Sequence, residues 1–185
     1  MSNQNDKRIC PVEQAGNLDS LMRKLLQPPK KILKRYIQPD MTVLDLGCGP
    51  GYFLVPMARM LNETGKIIAL DIQQGMLDLV KRKMEANEIS NVIELENRPF
   101  SSIGYKNCMD FILAFYVIHE IPEQEKLFRT IHDALKQGGK LFVSEPVFHV
   151  KKEPFQLVME NFRETGLNLV DRPSIFFSRT AVFEK

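Results

Sequence analysis

The stretch Val43–Phe53, which reads VLDLGCGPGYF, decides the fold. It begins inside a short apolar run, Thr42–Leu46, that is typical of a buried strand. Alternating glycines follow, and a helical pattern then continues to about Leu61. Glycine permits a tight turn and lets the backbone approach a ligand, because it has no Cβ. Ligands of open α/β sheets bind outside the carboxyl ends of the strands, so this stretch predicts a ligand-binding turn between a strand and a helix.

An acid at the end of the next strand narrows the kind of ligand. The run Lys66–Asp71, KIIALD, predicts a second buried strand, and Asp71 closes it about 20 residues after the glycine turn. A carboxylate at that place can accept hydrogen bonds from both hydroxyls of a ribose. The combination predicts a nucleoside-bearing cofactor. The third glycine, Gly51, comes one residue earlier than in GxGxxG, which disfavours a nicotinamide enzyme.

The rest of the chain alternates strands with helical patterns. Apolar runs predict three further strands, at Val92–Leu95, Asp110–Tyr116 and Lys140–Ser144. Apolar residues at helical spacing predict the helices between them, over Met76–Met84, Leu127–Leu135 and Phe155–Phe162. We expect Gly138-Gly139 to end the second of these helices. A terminal strand pair, Leu167–Asp171 and Arg179–Glu184, is predicted to be antiparallel because its connection is short. The alternation predicts an α/β fold with a mostly parallel sheet.

The N-terminal region is expected to differ from the sheet that follows it. Residues 1–16 are polar, and we expect them to be flexible. Residues 17–37 carry leucines at helical spacing and are predicted to form a helical lid over the ligand pocket. Together with the sheet they are expected to make one domain over residues 1–185.

Composition limits the class of protein further. The chain has 185 residues, of which 44% are hydrophobic and 26% charged, as in ordinary globular domains. Its net charge of +2 disfavours a nucleic-acid partner. Cys10, Cys48 and Cys108 are widely spaced and form no CxxC pair, which predicts reduced thiols, no metal site and a cytoplasmic location. The longest apolar run, Phe111–Ile118, is too short to span a bilayer.

These motifs resemble those of class I S-adenosylmethionine-dependent methyltransferases. VLDLGCGPGYF looks like the first motif of that family, and three further stretches resemble its second, fourth and fifth strands: ALDIQQGML (Ala69–Leu77), MDFILAFYVIHEI (Met109–Ile121) and LKQGGKLFVSEP (Leu135–Pro146). The likeness covers about residues 30–185 in the family's order. It is greatest to the small-molecule branch that includes ubiquinone/menaquinone-type C-methyltransferases.

The resemblance implies a fold and a reaction. The fold is a Rossmann-like, doubly wound sheet of seven strands in the order 3-2-1-4-5-7-6, with strand 7 antiparallel. The cofactor is S-adenosylmethionine, and the product is S-adenosylhomocysteine. The implied acceptor of the methyl group is a small molecule, whose identity and methylated atom the sequence leaves open, as it does the oligomeric state.

The resemblance also implies roles for residues at matching positions. Asp45 would help to place the methionine ammonium, and Asp71 would bind the ribose. Ile72 would pack on adenine, and Phe115 or Tyr116 would lie near the methionine portion and the acceptor. The loop along the cofactor would be formed by three glycines, namely Gly47, Gly49 and Gly51.

One position departs from the family pattern. Relatives usually carry a Gly-Asp pair after the third strand, whose acid meets the adenine amine, but here Asn97 or Arg98 falls at that place. An asparagine carbonyl can accept a hydrogen bond from the amine, whereas an arginine side chain cannot. We therefore favour Asn97, with backbone contacts to adenine as the open alternative.

Methyl transfer from a sulfonium needs no acid, because the leaving group is neutral. A base matters only if the acceptor must lose a proton. Tyr116, His119 and Glu120 follow the fourth strand, and Glu145 ends the fifth at the same edge. His119 is predicted either to act as a base or acceptor-site hydrogen-bonder, or to anchor its loop. Tyr116 is predicted either to line the acceptor pocket or to belong to the core.

Other functions stay open at this stage. An RNA or protein methyltransferase would use the basic stretch Lys30–Arg35, with its four basic residues. A non-catalytic regulatory protein would bind S-adenosylmethionine without turnover.

Overall fold

The structure, a computed structural model, describes Val12 and residues 21–89, 92–122 and 124–185. Its strands are β1 (Thr42–Leu46), β2 (Lys66–Asp71), β3 (Ile93–Asn97), β4 (Met109–Phe115), β5 (Leu135–Pro146), β6 (Asn168–Asp171) and β7 (Ser178–Glu184). Its α-helices are α1 (Leu21–Leu26), α2 (Pro29–Leu33), α3 (Leu54–Ala58), α4 (Gln74–Asn87), α5 (Gln124–Ala134) and α6 (Lys152–Glu164). Short 3₁₀ turns cover Phe100–Ser102 and Ile118–Glu120. Apart from Val12, the segment predicted to be flexible and residues 17–20 of the predicted lid lie outside the described residues.

The strands form one sheet in the order β3-β2-β1-β4-β5-β7-β6. Strands β1 to β5 pair in parallel, and β7 is antiparallel to both β5 and β6. The expected strand order and the antiparallel seventh strand are therefore confirmed. The order reverses between β1 and β4, which is the place where sheets of this kind bind ligands.

Helices cover both faces of the sheet. Val43 and Phe111 belong to the apolar layer under α2, α3 and α4, whereas Leu44 and Ile112 belong to the layer under α5 and α6. Successive side chains of a strand point to opposite faces, so strands buried on both sides read as continuous apolar runs. No helix within the described residues is long and apolar enough to cross a membrane.

The prediction for Leu135–Gly139 was wrong. Leu135 begins β5 rather than ending a helix, and α5 already ends at Ala134. Gly138 and Gly139 lie inside the strand, where the pairing of β4 with β5 shifts register. A Cβ at Gly139 would lie 2.8 Å from the carbonyl oxygen of Met109, so this glycine allows a close approach of two backbones rather than a helix end.

Helix α3 is shorter than its apolar pattern predicted. It ends at Ala58, not near Leu61. After the helix the chain turns, and the N–H of Asn62 donates to the carbonyl of Pro39 at 2.7 Å. This contact brings residues 59–62 back towards the start of β1. The apolar residues beyond Ala58 therefore lie in a turn and not in a helix.

The turn after β1 requires glycine at its first position. Gly47 has φ +69°, and its N–H donates to the carbonyl of Leu70 at 2.8 Å. A Cβ at this position would lie 2.4 Å from Cγ2 of Val117, which follows β4. Both the backbone conformation and the packing between the two loops therefore exclude a side chain.

We predict that Gly47→Ala destabilises the protein much more than Gly138→Ala. Both positions have positive φ, but a Cβ at Gly138 would meet no atom within 4 Å. Gly138→Ala should therefore cost about 1–2 kcal/mol from backbone strain alone. Gly47→Ala should cost about 1–3 kcal/mol more, because the methyl group clashes with Val117. Urea unfolding of both variants measures the difference, and equal losses would contradict the packing argument.

Candidate functional site

A cavity opens at the carboxyl ends of β1, β2 and β4. Seven of the residues predicted for the site line it: Asp45, Gly47, Gly49, Asp71, Ile72, Phe115 and Tyr116. Three others, Gly51, Asn97 and His119, are not part of its lining. Further lining residues come from α1, from the glycine turn and from the segments after β2, β3 and β4, and include Arg23, Tyr52, Met76, Phe100 and Glu120.

Asp71 ties the glycine turn to the end of β2. One of its carboxylate oxygens accepts the N–H of Gly49 and the other accepts the N–H of Gln73, each at 2.9 Å. The side chain is buried, and burial raises its pKa although these N–H groups oppose the shift. A carboxylate oxygen can accept two hydrogen bonds, so Asp71 has capacity left for two hydroxyl groups.

Gly49 leaves space beside this carboxylate. Its φ is +51°, and a Cβ built there would have no heavy atom within 4 Å. The side of the turn that faces the cavity is thus open, and the backbone can be approached closely. This arrangement fits a ribose held between the turn and Asp71.

Asp45 is a buried acid with an unmet hydrogen-bond requirement. Only 3% of its surface is exposed, and its Oδ2 has no hydrogen-bond partner. Burial, and then the charge of Asp71, raise the pKa of Asp45 to about 7, while the charge of Arg23 acts in the opposite direction. A cationic group in the cavity would supply both the missing donor and the missing charge, so Asp45 fits a substrate or cofactor ammonium.

Arg23 of α1 closes one side of the cavity, and the sequence contained no sign of it. Its guanidinium carbon lies 4.2 Å from the centre of the Tyr52 ring, and 5.6 and 5.5 Å from the centres of the Phe115 and Tyr116 rings. Cations are attracted to aromatic faces at these distances. The contact holds α1 against the glycine turn and the end of β4.

Tyr116 links the cavity to the start of β7. Its hydroxyl accepts from Nε2 of Gln27 at 2.7 Å and lies 2.6 Å from Oγ of Ser178. Nε2 of Gln27 also donates to the carbonyl of Phe176 at 2.7 Å. Tyr116 itself has φ +65°, an uncommon conformation for a bulky residue, which turns the chain out of β4.

His119 is directed towards Glu145. Its Nδ1 contacts the carboxylate of Glu145, which also accepts the N–H of Ile118 at 2.9 Å. Burial lowers the pKa of His119, but the hydrogen bond and charge of Glu145 and the charge of Glu120 outweigh it and raise the pKa. This geometry favours the loop-anchoring alternative, while the neighbouring Glu120 lines the cavity.

Asn97, which ends β3, and Arg98 make contacts other than the predicted one. Nδ2 of Asn97 donates to the backbone carbonyl of Asp71 at 3.1 Å. Arg98 pairs with Glu96 at 2.6 Å and also donates to the carbonyl of Ile103. The cavity wall here is formed by Phe100. An adenine contact from Asn97 or Arg98 stays a prediction.

Comparison with known proteins identifies the family. A family model described as a methyltransferase domain matches residues 37–175. The chain belongs to this methyltransferase family. Membership confirms the resemblance to class I S-adenosylmethionine-dependent methyltransferases, and with it S-adenosylmethionine as the cofactor.

Three named proteins are similar to the chain in sequence. The chain is 30% identical over 118 residues to a carboxy-S-adenosyl-L-methionine synthase from Trichodesmium erythraeum, covering 62% of this chain and 46% of that protein. It is 25% identical over 173 residues to a demethylmenaquinone methyltransferase from Lactobacillus johnsonii, covering 89% and 71%. It is 29% identical over 123 residues to a ubiquinone/menaquinone biosynthesis C-methyltransferase from Wigglesworthia glossinidia brevipalpis, covering 64% and 49%. The chain thus spans about half the length of the first and third of these relatives.

Solved structures show the same fold. A SAM-dependent methyltransferase from Aquifex aeolicus superposes with a TM-score of 0.83 at 23% identity, covering 95% of this chain and 98% of that one. The [4+2]-cyclase SpnF superposes with a TM-score of 0.69 at 20% identity, covering 79% and 59%. A cyclase with this fold shows that the fold alone does not assign the reaction.

We predict that Asp45→Asn stabilises the protein relative to wild type more at pH 8 than at pH 5. Because its folded pKa is raised, Asp45 binds a proton in the folded state that the unfolded state has released, so stability falls as the pH rises from about 4 to about 7. The advantage of the neutral asparagine should grow by about 1–3 kcal/mol between the two pH values.

Urea unfolding at both pH values measures this change. Asp78→Asn, which alters an exposed carboxylate on α4, is the matched control and should show no such growth. A constant difference between Asp45→Asn and wild type at both pH values would contradict a raised pKa at Asp45.

Proposed function

We propose that the protein transfers a methyl group from S-adenosylmethionine to a small-molecule acceptor. The observation that carries this proposal is the pair of buried carboxylates, Asp45 and Asp71, that line one cavity at the strand ends where the sheet order reverses. The carboxylate of Asp71 lies beside the glycine turn, where it could accept ribose hydroxyls, and no group donates a hydrogen bond to Oδ2 of Asp45. A ligand with a ribose at one end and an ammonium at the other satisfies both.

The residues present would hold the cofactor along this cavity. Asp71 would accept the ribose hydroxyls, and Asp45 would accept the methionine ammonium. The adenine ring would pack against Ile72, Met76 and Phe100, which line the cavity wall. When bound, S-adenosylmethionine supplies an electrophilic methyl group on a sulfonium whose leaving group is a neutral thioether.

The chain contributes mainly alignment and exclusion of water. Phe115 and Tyr116 end β4 in the cavity wall, and their rings contact each other at 4.5 Å between centres. Arg23 and Tyr52 line the cavity beside them, and the guanidinium of Arg23 lies over the Tyr52 ring, which supports the proposal that α1 belongs to a lid over the pocket. Holding two reactants in line and in a dry site supplies much of the acceleration of a displacement. A pocket walled in this way favours a small acceptor over a macromolecule.

A carboxylate after β4 lies in the cavity wall. Glu120 and Tyr116 both line the cavity, and the Tyr116 hydroxyl contacts Gln27 and Ser178. For an acceptor that must lose a proton, we assign the general base to Glu120. His119 then acts as a positioning residue, because Glu145 fixes its ring and its loop.

A transfer assay with methyl-labelled S-adenosylmethionine and fractionated cell extract tests the proposed function. We expect label in the small-molecule fraction, and expect Asp71→Ala to lower it strongly at limiting cofactor, because losing the charged acceptor weakens cofactor binding by about 10- to 100-fold. Asp78→Ala is the matched control. Label in RNA or protein, or wild-type affinity of Asp71→Ala for the cofactor by calorimetry, would contradict the proposal.

The division of roles between Glu120 and His119 is testable once the acceptor is known. Glu120→Gln should lower kcat by about 100-fold at neutral pH while leaving cofactor affinity unchanged, because the base is lost. His119→Asn should change KM and kcat by less, and should lower the melting temperature because it disturbs the contact with Glu145. A larger kcat loss in His119→Asn than in Glu120→Gln would reverse the assignment.

A further inference from the structure

Three segments that are distant in the sequence bring exposed apolar side chains to one edge of the molecule. We call these residues the apolar rim; they are Leu25, Leu26, Phe148, Phe176 and Phe177. The exposed fractions are 80% for Leu25, 74% for Phe148, 51% for Phe176 and 48% for Phe177. Single exposed apolar residues are ordinary, whereas a contiguous exposed group marks an interaction surface.

Contacts among the segments join the three phenylalanines and tie the end of α1 to them. The ring centres of Phe148 and Phe177 are 5.0 Å apart, and those of Phe176 and Phe177 are 4.1 Å apart. The N–H of Val147 donates to the carbonyl of Phe177 at 3.0 Å. Gln27, directly after Leu26, donates to the carbonyl of Phe176 at 2.7 Å.

The exposure of the phenylalanines follows from the backbone. Phe177 has φ +58°, in the left-handed region that aromatic residues rarely adopt. In the same turn, the N–H of Ser178 donates to the carbonyl of Ile175 at 3.1 Å. A strained turn that presents an aromatic ring to solvent is typical of a functional site rather than of a packing solution.

The rim adjoins the wall of the cavity at Tyr116. Gln27 and Ser178, which adjoin rim residues, both contact the hydroxyl of Tyr116, a residue of the cavity wall. Whatever covers the rim therefore lies close to the side of the cavity that Tyr116 walls.

Basic side chains follow the rim residues in two of the three segments. Lys151 and Lys152 come soon after Phe148, and Lys30 and Lys31 come soon after Leu26; all four are exposed. Glu153 is the exposed acid beside the first pair. Exposed phenylalanine and leucine flanked by lysine is the composition of surfaces that lie on anionic bilayers, where the rings enter the headgroup region and the lysines meet lipid charge.

We propose that the apolar rim docks on the surface of an anionic lipid bilayer. The lysines favour a negatively charged partner, and exposed aromatic side chains flanked by lysines favour the headgroup region of a bilayer. Docking brings the side of the cavity that Tyr116 walls close to the bilayer. The proposal concerns binding and does not depend on the methyl-transfer reaction.

Sedimentation with vesicles tests the docking surface. Wild-type protein should bind vesicles of phosphatidylcholine with about 30% phosphatidylserine at least about tenfold more tightly than vesicles of phosphatidylcholine alone, and added salt should weaken the binding. The double variant Phe148→Ser and Phe176→Ser should lose about tenfold or more in affinity for the anionic vesicles. The double variant Lys151→Glu and Lys152→Glu should lose the preference for anionic lipid.

The matched control is the double variant Leu157→Ser and Val170→Ser, which changes two exposed apolar residues outside the rim and should bind as wild type does. Calorimetry with S-adenosylmethionine should give wild-type affinity for the Phe148→Ser and Phe176→Ser variant, which shows that the fold and the site are intact. Absence of binding to anionic vesicles, equal binding by the rim and control variants, or saturable binding of the rim to a protein instead of lipid would overturn the proposal.

Discussion

The left-handed turn at Gly47 is the constraint on which the site depends. It brings the loop after β1 into direct contact with Val117 after β4, with no room for a side chain between them. Because β2 and β4 flank β1, the loops diverge beyond this contact and the cavity opens there. The N–H of Gly49 can then reach the carboxylate of Asp71 on the neighbouring strand. One backbone conformation thus lets the turn after β1 contact the ends of both neighbouring strands.

The cavity contains a buried carboxylate that lowers the stability of the folded protein and that the fold does not need. Asp45 is buried with an unpartnered oxygen, and burial, followed by the charge of Asp71, disfavours its charged form. Replacing such a group by a neutral one relieves the folded protein, whereas a cationic ligand relieves it without any replacement. The carboxylate of Asp45 is therefore complementary to a cationic group of a ligand and not to the surrounding protein. Such a conflict between stability and function is expected at a binding site.

The first helix connects the site with its surroundings. Arg23 faces the aromatic rings of the cavity wall, while Gln27 at the end of the same segment bonds both to Tyr116 and to the turn before β7. A movement of α1 would change the cavity wall and the apolar rim together. The same few hydrogen bonds of Gln27 thus connect the apolar rim with the cavity wall.

The sequence by itself determined the glycine turn, the acid after β2 and the buried strands, because each depends on neighbours in the chain and on local conformation. The strand order came from the resemblance and agrees with the structure. Local reasoning failed at Leu135–Gly139, where the approach of the β4 backbone overrides the helical pattern. Only the tertiary structure decided that Arg23 and Glu120 line the cavity while His119 is directed to Glu145, and that three distant segments form the apolar rim. The reason is that side-chain direction at a strand end, and contact between distant segments, follow from packing that no local pattern records.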